Sequence, residues 1–391
     1  MRSASGFSLV ELLVAMAIMA TVAGAVLVTA DRARHVLRMQ PERADLQQRL
    51  RVAIGTLQRD LMMAGAGPYI GRGGSPLHHV LAPVLPYRGG DRNSDPSRGV
   101  FYRSDAVSVM YVPSTAGQAV VERLTIDGGV ISAAVAPNCG ADRYDRVCGF
   151  TSGTPVLLLD VTGQFATGVV EAVEGAVVRV ATAQPGGHVD PAMGARLVEL
   201  SQHTYWLEAG ATPRLMHYDG RRTDSPAVDH VVALRFEYFG DAQPPALRPD
   251  VDLDDPGGPW TTYGPKPPAI GRDDPRDSWP AGENCAFGVA DGAHVPRLVA
   301  FGPGPGLVPL DSPALTDGPW CPDAAAAHRF DADLLRIRRV RILVRLQAAD
   351  GSLRGRGRWF TREGTARSAL MLLPDQEILF DVAPRNLNLG R

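Results

Sequence analysis

A single carboxylate, Glu11, stands in an apolar run of 24 residues from Phe7 to Ala30, and the run is preceded by MRSASG. A charge at the centre of a helix in hydrocarbon costs ~2.5–3.5 kcal/mol and ordinarily has a partner. Cleavage after Gly6 would create that partner. It would leave Phe7 with a free α-amine, and a carboxylate four residues on, carried by a neighbouring helix, neutralises such an amine in lipid. Gly6 and Phe7 are thus candidate processing residues, and Glu11 is a candidate assembly contact. Two other readings compete. A secretory signal peptide with Arg2 as its positive end and Ala23-Gly24-Ala25 as its cleavage site would enclose Glu11 in an overlong apolar region. A plain signal anchor gives Glu11 no purpose.

Other chemistry-bearing groups are weaker. Cys139 and Cys148 enclose the polar stretch GADRYDRV, and Cys285 and Cys321 share a Pro/Gly-rich region. All four are disulfide candidates; four cysteines allow three connectivities, and spacing does not choose among them. There is no Cys-x-x-Cys, so a metal reading has little support. Asp250, Asp252 and Asp254 alternate before a glycine in DVDLDDPGG, in the manner of a calcium loop. Asp255 occupies the sixth position, where glycine belongs, and Thr261 the twelfth, where glutamate belongs. A solvated acidic loop explains them as well. The pair His78-His79 lies in a Pro/Gly loop. No nucleophile elbow, zinc-protease helix, P-loop or dinucleotide fingerprint occurs. The expectation is a protein that is not an enzyme and needs no cofactor.

The elements that must carry these residues are an N-terminal helix and a β-rich remainder. The apolar run spans about 36 Å as a helix against a hydrocarbon core of ~30 Å. The pattern extends it as an amphipathic helix over 31–64, where Leu46, Leu50, Ile54, Leu57 and Leu61 form one stripe and Arg43, Arg49, Arg51 and Arg59 lie off it. Such a stripe packs on a folded domain. Pro41 either kinks the helix or opens a fresh helical stretch, and Gly65, Gly67 and Pro68 end it. Strand signals follow at 105–112, 120–126, 155–161, 168–173, 176–182, 198–208 and 230–240. No helical period alternates with them, which argues against a parallel βαβ sheet. The expected class is α+β, with the helix on antiparallel sheet and a Pro/Gly/Asp-rich insertion over about 241–330. Net charge of −2 gives no global pull towards nucleic acid or membrane.

Structure resumes with RRVRILVRLQ at 338–347. Val340, Ile342, Val344 and Leu346 should face inward and Arg339, Arg341 and Arg345 outward. Asp350-Gly351 is a hairpin signal. A two-residue turn there sets Arg345 opposite Arg356, Gln347 opposite Arg354, and Leu343 opposite Arg358. Like charges across strands repel, so this basic face is a candidate anion site. Its anion could come from the chain's own acidic insertion (Asp250 to Asp255, Asp273, Asp274 and Asp277), from a neighbouring subunit or acidic partner, or from DNA phosphate.

The segment GFSLVELLVAM, residues 6 to 16, resembles the class III signal of type IV pilins and type II secretion pseudopilins. LQRDLMMAGAG (57–67) and PRNL (384–387) resemble the corresponding parts of PilW-type minor pilins. The resemblance implies a leader at 1–6 removed by prepilin peptidase between Gly6 and Phe7, methylation of the Phe7 amine, and a membrane and filament-core helix at 7–30. It implies a periplasmic domain at 65–391, other pilins or pseudopilins and an inner-membrane assembly platform as partners, and inner-membrane residence before assembly. Arg32, Arg34 and Arg38 follow the apolar run while Arg2 precedes it, so the positive-inside rule alone favours the opposite orientation.

Overall fold

The computed structural model describes residues 8–68, 77, 81–88, 102–114, 117–127, 129–136, 147–160, 165–182, 189–221, 224–242, 287–290, 293–296, 306–316, 334–351, 353–354 and 373–388. The chain divides into two compact units, one of residues 1–51 with 346–377, the other of 52–345 with 378–391.

One helix, α1, runs from Leu9 to Met63 with Pro41 inside it. Its residues up to Arg51 belong to the first unit. There Leu46 is buried with Ala348, Leu353 and Leu373, and Met39 packs against them. Arg49 ties this face together. It pairs with Asp45 at 2.8 Å and Glu42 at 3.3 Å, and it donates to the Gln347 carbonyl at 3.4 Å. Glu42 in turn accepts the Ala349 amide.

The second unit is built around three groups of strands. β1 (Val84–Leu85) and β2 (Ala106–Tyr111) open a five-stranded sheet. The chain then leaves this sheet for six strands: β3 (Gln118–Asp127), β4 (Val130–Val135), β5 (Pro155–Leu159), β6 (Phe165–Glu174), β7 (Val177–Thr182) and β8 (Arg196–Glu199). They close into a barrel in the order β3-β4-β7-β6-β5-β8, with every neighbouring pair antiparallel. Closure leaves no free edge. The chain returns to the first sheet with β9 (Ser201–Glu208), β10 (Arg214–Tyr218) and β11 (Asp224–Asp229), giving the order β1-β2-β9-β10-β11.

The barrel explains two features of the sequence. Its interior is filled by Val121, Ile131, Phe150, Val156, Leu158, Val170, Val178, Val180 and Leu197, among others. The outer side of β5 and β8 is also buried, where Leu157, Leu159, Val198 and Leu200 pack with Leu77, Leu81 and Val112. A strand covered on both faces reads as a continuous apolar run, which is why β5 is PVLLL and does not alternate. The stretch 198–208, expected as one strand, is two. The chain changes sheets at Leu200, between barrel strand β8 and sheet strand β9.

β12 (Val231–Gly240) belongs to a further sheet. A short hairpin, β13 (Phe287–Ala290) and β14 (Ala293–Pro296), comes next, then β15 (Val308–Leu310) and the five-residue helix α2 (Ser312–Thr316). β16 (Ile337–Leu346) and β17 (Gln376–Val382) complete a sheet of order β15-β12-β16-β17. The expected insertion over 241–330 is therefore not all excursion. β15 returns to the sheet, with Tyr238 opposite Leu310 and Gly240 opposite Val308.

β16 is apolar on one face as expected: Val340, Ile342, Val344 and Leu346 are fully buried. The other face departs from expectation. Arg345 is buried, because the strand is covered on both faces at its C-terminal end. The neighbours of β16 are β12 and β17, so β17 takes the place given to a hairpin partner from 354–358. Arg354 forms an isolated parallel bridge with Leu373, and its guanidinium turns back onto the carbonyls of Ala348 and Ala349.

Candidate functional site

The first turn of α1 is closed reciprocally. Ser8 N–H donates to Glu11 Oε2 at 2.9 Å, and Glu11 N–H donates to Ser8 Oγ at 3.2 Å. This is a capping box, in which a serine and a glutamate three residues on satisfy each other's orphan amides. Glu11 also complements the positive end of the helix dipole. The Ser-x-x-Glu spacing was present in the sequence, but the reading of Glu11 as a charge in lipid passed over it. The 22 residues Leu9–Ala30 have a mean hydropathy of 2.4, and none of them is buried within the chain. Thr21 and Thr29 spend their hydroxyls on the carbonyls of Ile18, Ala25 and Val26, as hydroxyls in a lipid-exposed helix must. Such a helix, by length and composition, is fit to cross a bilayer. Gly6 and Phe7 lie outside the described residues.

At its other end α1 meets the end of the chain. Asn386 Nδ2 reaches the carbonyls of Met63 and Ala64, both at 3.4 Å, which are among the orphan acceptors of the last helical turn. Leu387, buried, covers Gly65. A Cβ at Gly65 would stand 2.6 Å from Leu387 Cδ2, and Gly65 has φ +77. Glycine alone meets both demands without strain. Asn388 completes the tie by donating to the Arg338 carbonyl at 3.1 Å. LQRDLMMAGAG and PRNL, some 320 residues apart, are thus one contact. Gly65→Ala should lower the stability of this unit by about 1–3 kcal/mol, and Asn386→Ala by about 1 kcal/mol. Urea midpoints of the full chain in detergent would check both. An unchanged midpoint for Gly65→Ala would remove the argument from close approach.

The arginines of β16 are partnered inside the protein. Arg341 places Nε 2.8 Å from Asp381 Oδ1 and Nη2 3.2 Å from Oδ2, a two-point clasp, and Arg339 stands 3.7 Å from the same carboxylate. The hydrogen bonds from Arg341 hold the Asp381 carboxyl below its ordinary pKa. Both guanidiniums also lie over the Phe239 ring, at 4.4 and 5.0 Å. Among the described residues the anion paired with Arg339 and Arg341 is Asp381 of β17, which is none of the sources expected from the sequence. Arg356 and Arg358 are outside the described residues, as are Asp250, Asp252, Asp254, Cys139, Cys285 and Cys321. Cys148 is disulfide-bonded and buried beside Phe150 in the barrel core.

A second polar group went unnoticed in the sequence. Asp60 of α1, His203 and Tyr205 of β9, His217 of β10 and Tyr111 of β2 lie together in the second unit. The strand registers pair His203 with Val109 and Tyr205 with both Val107 and His217, so these side chains share the sheet face turned to the helix. Tyr205 donates to Asp60 Oδ2. His203 Nδ1 lies 2.8 Å from His217 Nε2 and 3.5 Å from Asp60 Oδ2. Tyr111 Oη lies 3.1 Å from His203 Nε2. Burial first, then the neighbouring His203, lower the pKa of His217. Burial, with the Asp60 charge next, pushes Tyr111 up to about 12. The signal was faint: Asp60 stands on the apolar stripe between Leu57 and Leu61, and the inward positions of two strands carry histidine.

Residues 1–27 match the family model for the prokaryotic N-terminal methylation motif. The motif, with the apolar helix behind it, is that of type IV pilin-like proteins and pseudopilins, the substrates of prepilin peptidase. It implies association with other pilins, and it fits a membrane-anchored chain that crosses once. It suggests a structural protein and not an enzyme. The match covers the N-terminal segment only. Neither the curated proteins nor the solved structures include a match to the chain.

Proposed function

We propose that this chain is a minor pilin of the PilW type, which helps initiate or decorate a type IV pilus. Prepilin peptidase cuts between Gly6 and Phe7 and methylates the new amine. The helix then leaves the inner membrane for the filament core, with the β-rich part on the periplasmic side. Glu11 supplies the counter-charge for a Phe7 amine in the assembled bundle. What supports the finer assignment is the meeting of the two PilW-like segments. The end of α1 and PRNL resemble that group separately in sequence, and they make one hydrogen-bonded, close-packed joint. A joint of this kind ties the C-terminal end of the helix to the β-rich part, which is what a filament subunit needs.

The test is mass spectrometry of filaments sheared from cells, beside the membrane fraction. The expected product is the tryptic peptide from Phe7 to Arg32, carrying one extra methyl on Phe7, in both fractions. The same peptide confined to membranes would transfer the chain to the type II secretion pseudopilins, whose J-type member is the nearest alternative. A mature terminus at Val26 would overturn the pilin reading altogether.

A further inference from the structure

The buried group formed by Asp60, His203 and His217 does nothing for filament assembly as proposed above, and its geometry raises a question of protons. Three groups converge: one ligand atom from each of Asp60, His203 and His217 lies within 4.8 Å of the other two. Neutral imidazoles can place one proton between His203 and His217 at 2.8 Å. If His203 Nδ1 gives that proton to His217, Asp60 receives nothing from it. If His217 Nε2 gives it, the lone pair of His203 faces the carboxylate at 3.5 Å. A divalent cation would use all three lone pairs at once.

We propose that Asp60 Oδ2, His203 Nδ1 and His217 Nε2 bind a divalent first-row metal ion of the zinc class, clamping α1 to strands β9 and β10. Ligand atoms bound at about 2.0–2.1 Å around a tetrahedral ion lie roughly 3.3–3.5 Å apart. The Asp60 to His203 distance already has that value. The two imidazoles, now nitrogen to nitrogen at 2.8 Å with nearly parallel rings, must part by about half an ångström and turn so that both lone pairs meet at the ion. A donor set of two imidazoles and one carboxylate selects zinc, copper or nickel over calcium and magnesium. The surroundings match those of built sites. His203 Nε2 meets Tyr111 Oη at 3.1 Å; with Nε2–H donating to that oxygen, Nδ1 presents its lone pair to a metal. Tyr205 donates its hydroxyl to the same oxygen, Asp60 Oδ2, which keeps a second lone pair for an ion. Asp60 is 6% exposed, whereas the His203 side chain keeps 19% exposure, giving an ion a way in and a fourth position open to water. The site does not depend on which filament the chain enters.

The experiment uses the full processed chain in detergent, stripped with chelator and titrated with Co²⁺, then Zn²⁺. One equivalent of Co²⁺ should produce the visible absorption of a four-coordinate site, and Zn²⁺ should displace it. At about a hundredfold over Kd the melting temperature should rise by roughly 5 °C or more. His203→Gln with His217→Asn should weaken binding at least tenfold. Absence of a saturable Co²⁺ signal, or wild-type affinity in the double variant, would overturn the proposal. If the double variant does not fold, histidine modification of the wild-type chain decides. Zn²⁺ should protect His203 and His217 from acylation, and unchanged labelling of both would reject the site.

Discussion

Replacing Glu11 by alanine should leave the chain cleaved and methylated yet deplete it from filaments by on the order of a hundredfold. The estimate takes the cost of an unneutralised charge in lipid, ~2.5–3.5 kcal/mol, at 1.4 kcal/mol per factor of ten. Alanine removes two things at once, because Glu11 also accepts the Ser8 amide in the capping box. Loss of a cap costs about 0.5–2 kcal/mol of helix stability, which could itself impair insertion. Glu11→Gln separates the two. Glutamine still accepts from Ser8 but carries no charge. If charge pairing with the Phe7 amine governs docking, glutamine and alanine should fail alike. Filament incorporation of Glu11→Gln near the wild-type level, with Glu11→Ala defective, would assign Glu11 to the cap and end the charge argument. The measurement is the ratio of variant to major subunit in sheared filaments, with the membrane-bound processed pool as the control.

Asp241→Ala should be the most damaging single change in the folded part. Asp241 follows β12, and its Oδ2 lies 2.8 Å from Arg338 Nε, with both side chains almost wholly buried. Arg338 Nη1 also donates to the carbonyls of Leu335 at 2.8 Å and Ile337 at 3.0 Å. Arg336, buried too, donates from Nε to the Asp241 carbonyl at 2.9 Å. The backbones approach so closely here that a Cβ at Gly240 would stand 2.0 Å from the Arg336 carbonyl. Removing the carboxylate strands a buried guanidinium, which costs about 3–5 kcal/mol, against a typical domain stability of ~5–15 kcal/mol. The expected result is a urea midpoint lowered by a third or more with an unchanged slope, or no folded protein at all. Asp241→Asn keeps an acceptor for Arg338 and should fall between. A loss below about 1 kcal/mol for the alanine variant would show that solvent reaches Arg338. The position matters beyond stability: Asp241 stands where the chain leaves β12 for the long excursion that ends at β15, so the ion pair fixes the root of that excursion.

Much of the architecture is local physics and was legible from the chain. Fifty-five helical residues follow from an unbroken apolar run continued by a 3.6-period stripe, and Pro41 did not divide them. About half of the strands are legible in the sequence. β4, β10, β11 and β17 are not, nor are the short β1, β13, β14 and β15, although each pairs with a neighbour in its sheet. The inward side of β16 was legible for the same reason as the others, since period-2 burial is a property of the strand itself.

The N-terminal signal, the helix and the α+β character are legible in the chain because each rests on residues close together in it. Which distant residues meet is set by how the elements pack. Barrel closure through β3 and β8 depends on pairing Gln118 with Val198 and Val120 with Arg196, and no local pattern encodes that. The burial of Arg345 depends on what covers a second face, and the counter-charge of Arg339 and Arg341 on which strand lies alongside. Asp60 reads on the chain as one charge on an apolar stripe. It becomes part of a site when the register of β9 and β10 brings two histidines beneath it, which is a consequence of sheet pairing and not of spacing.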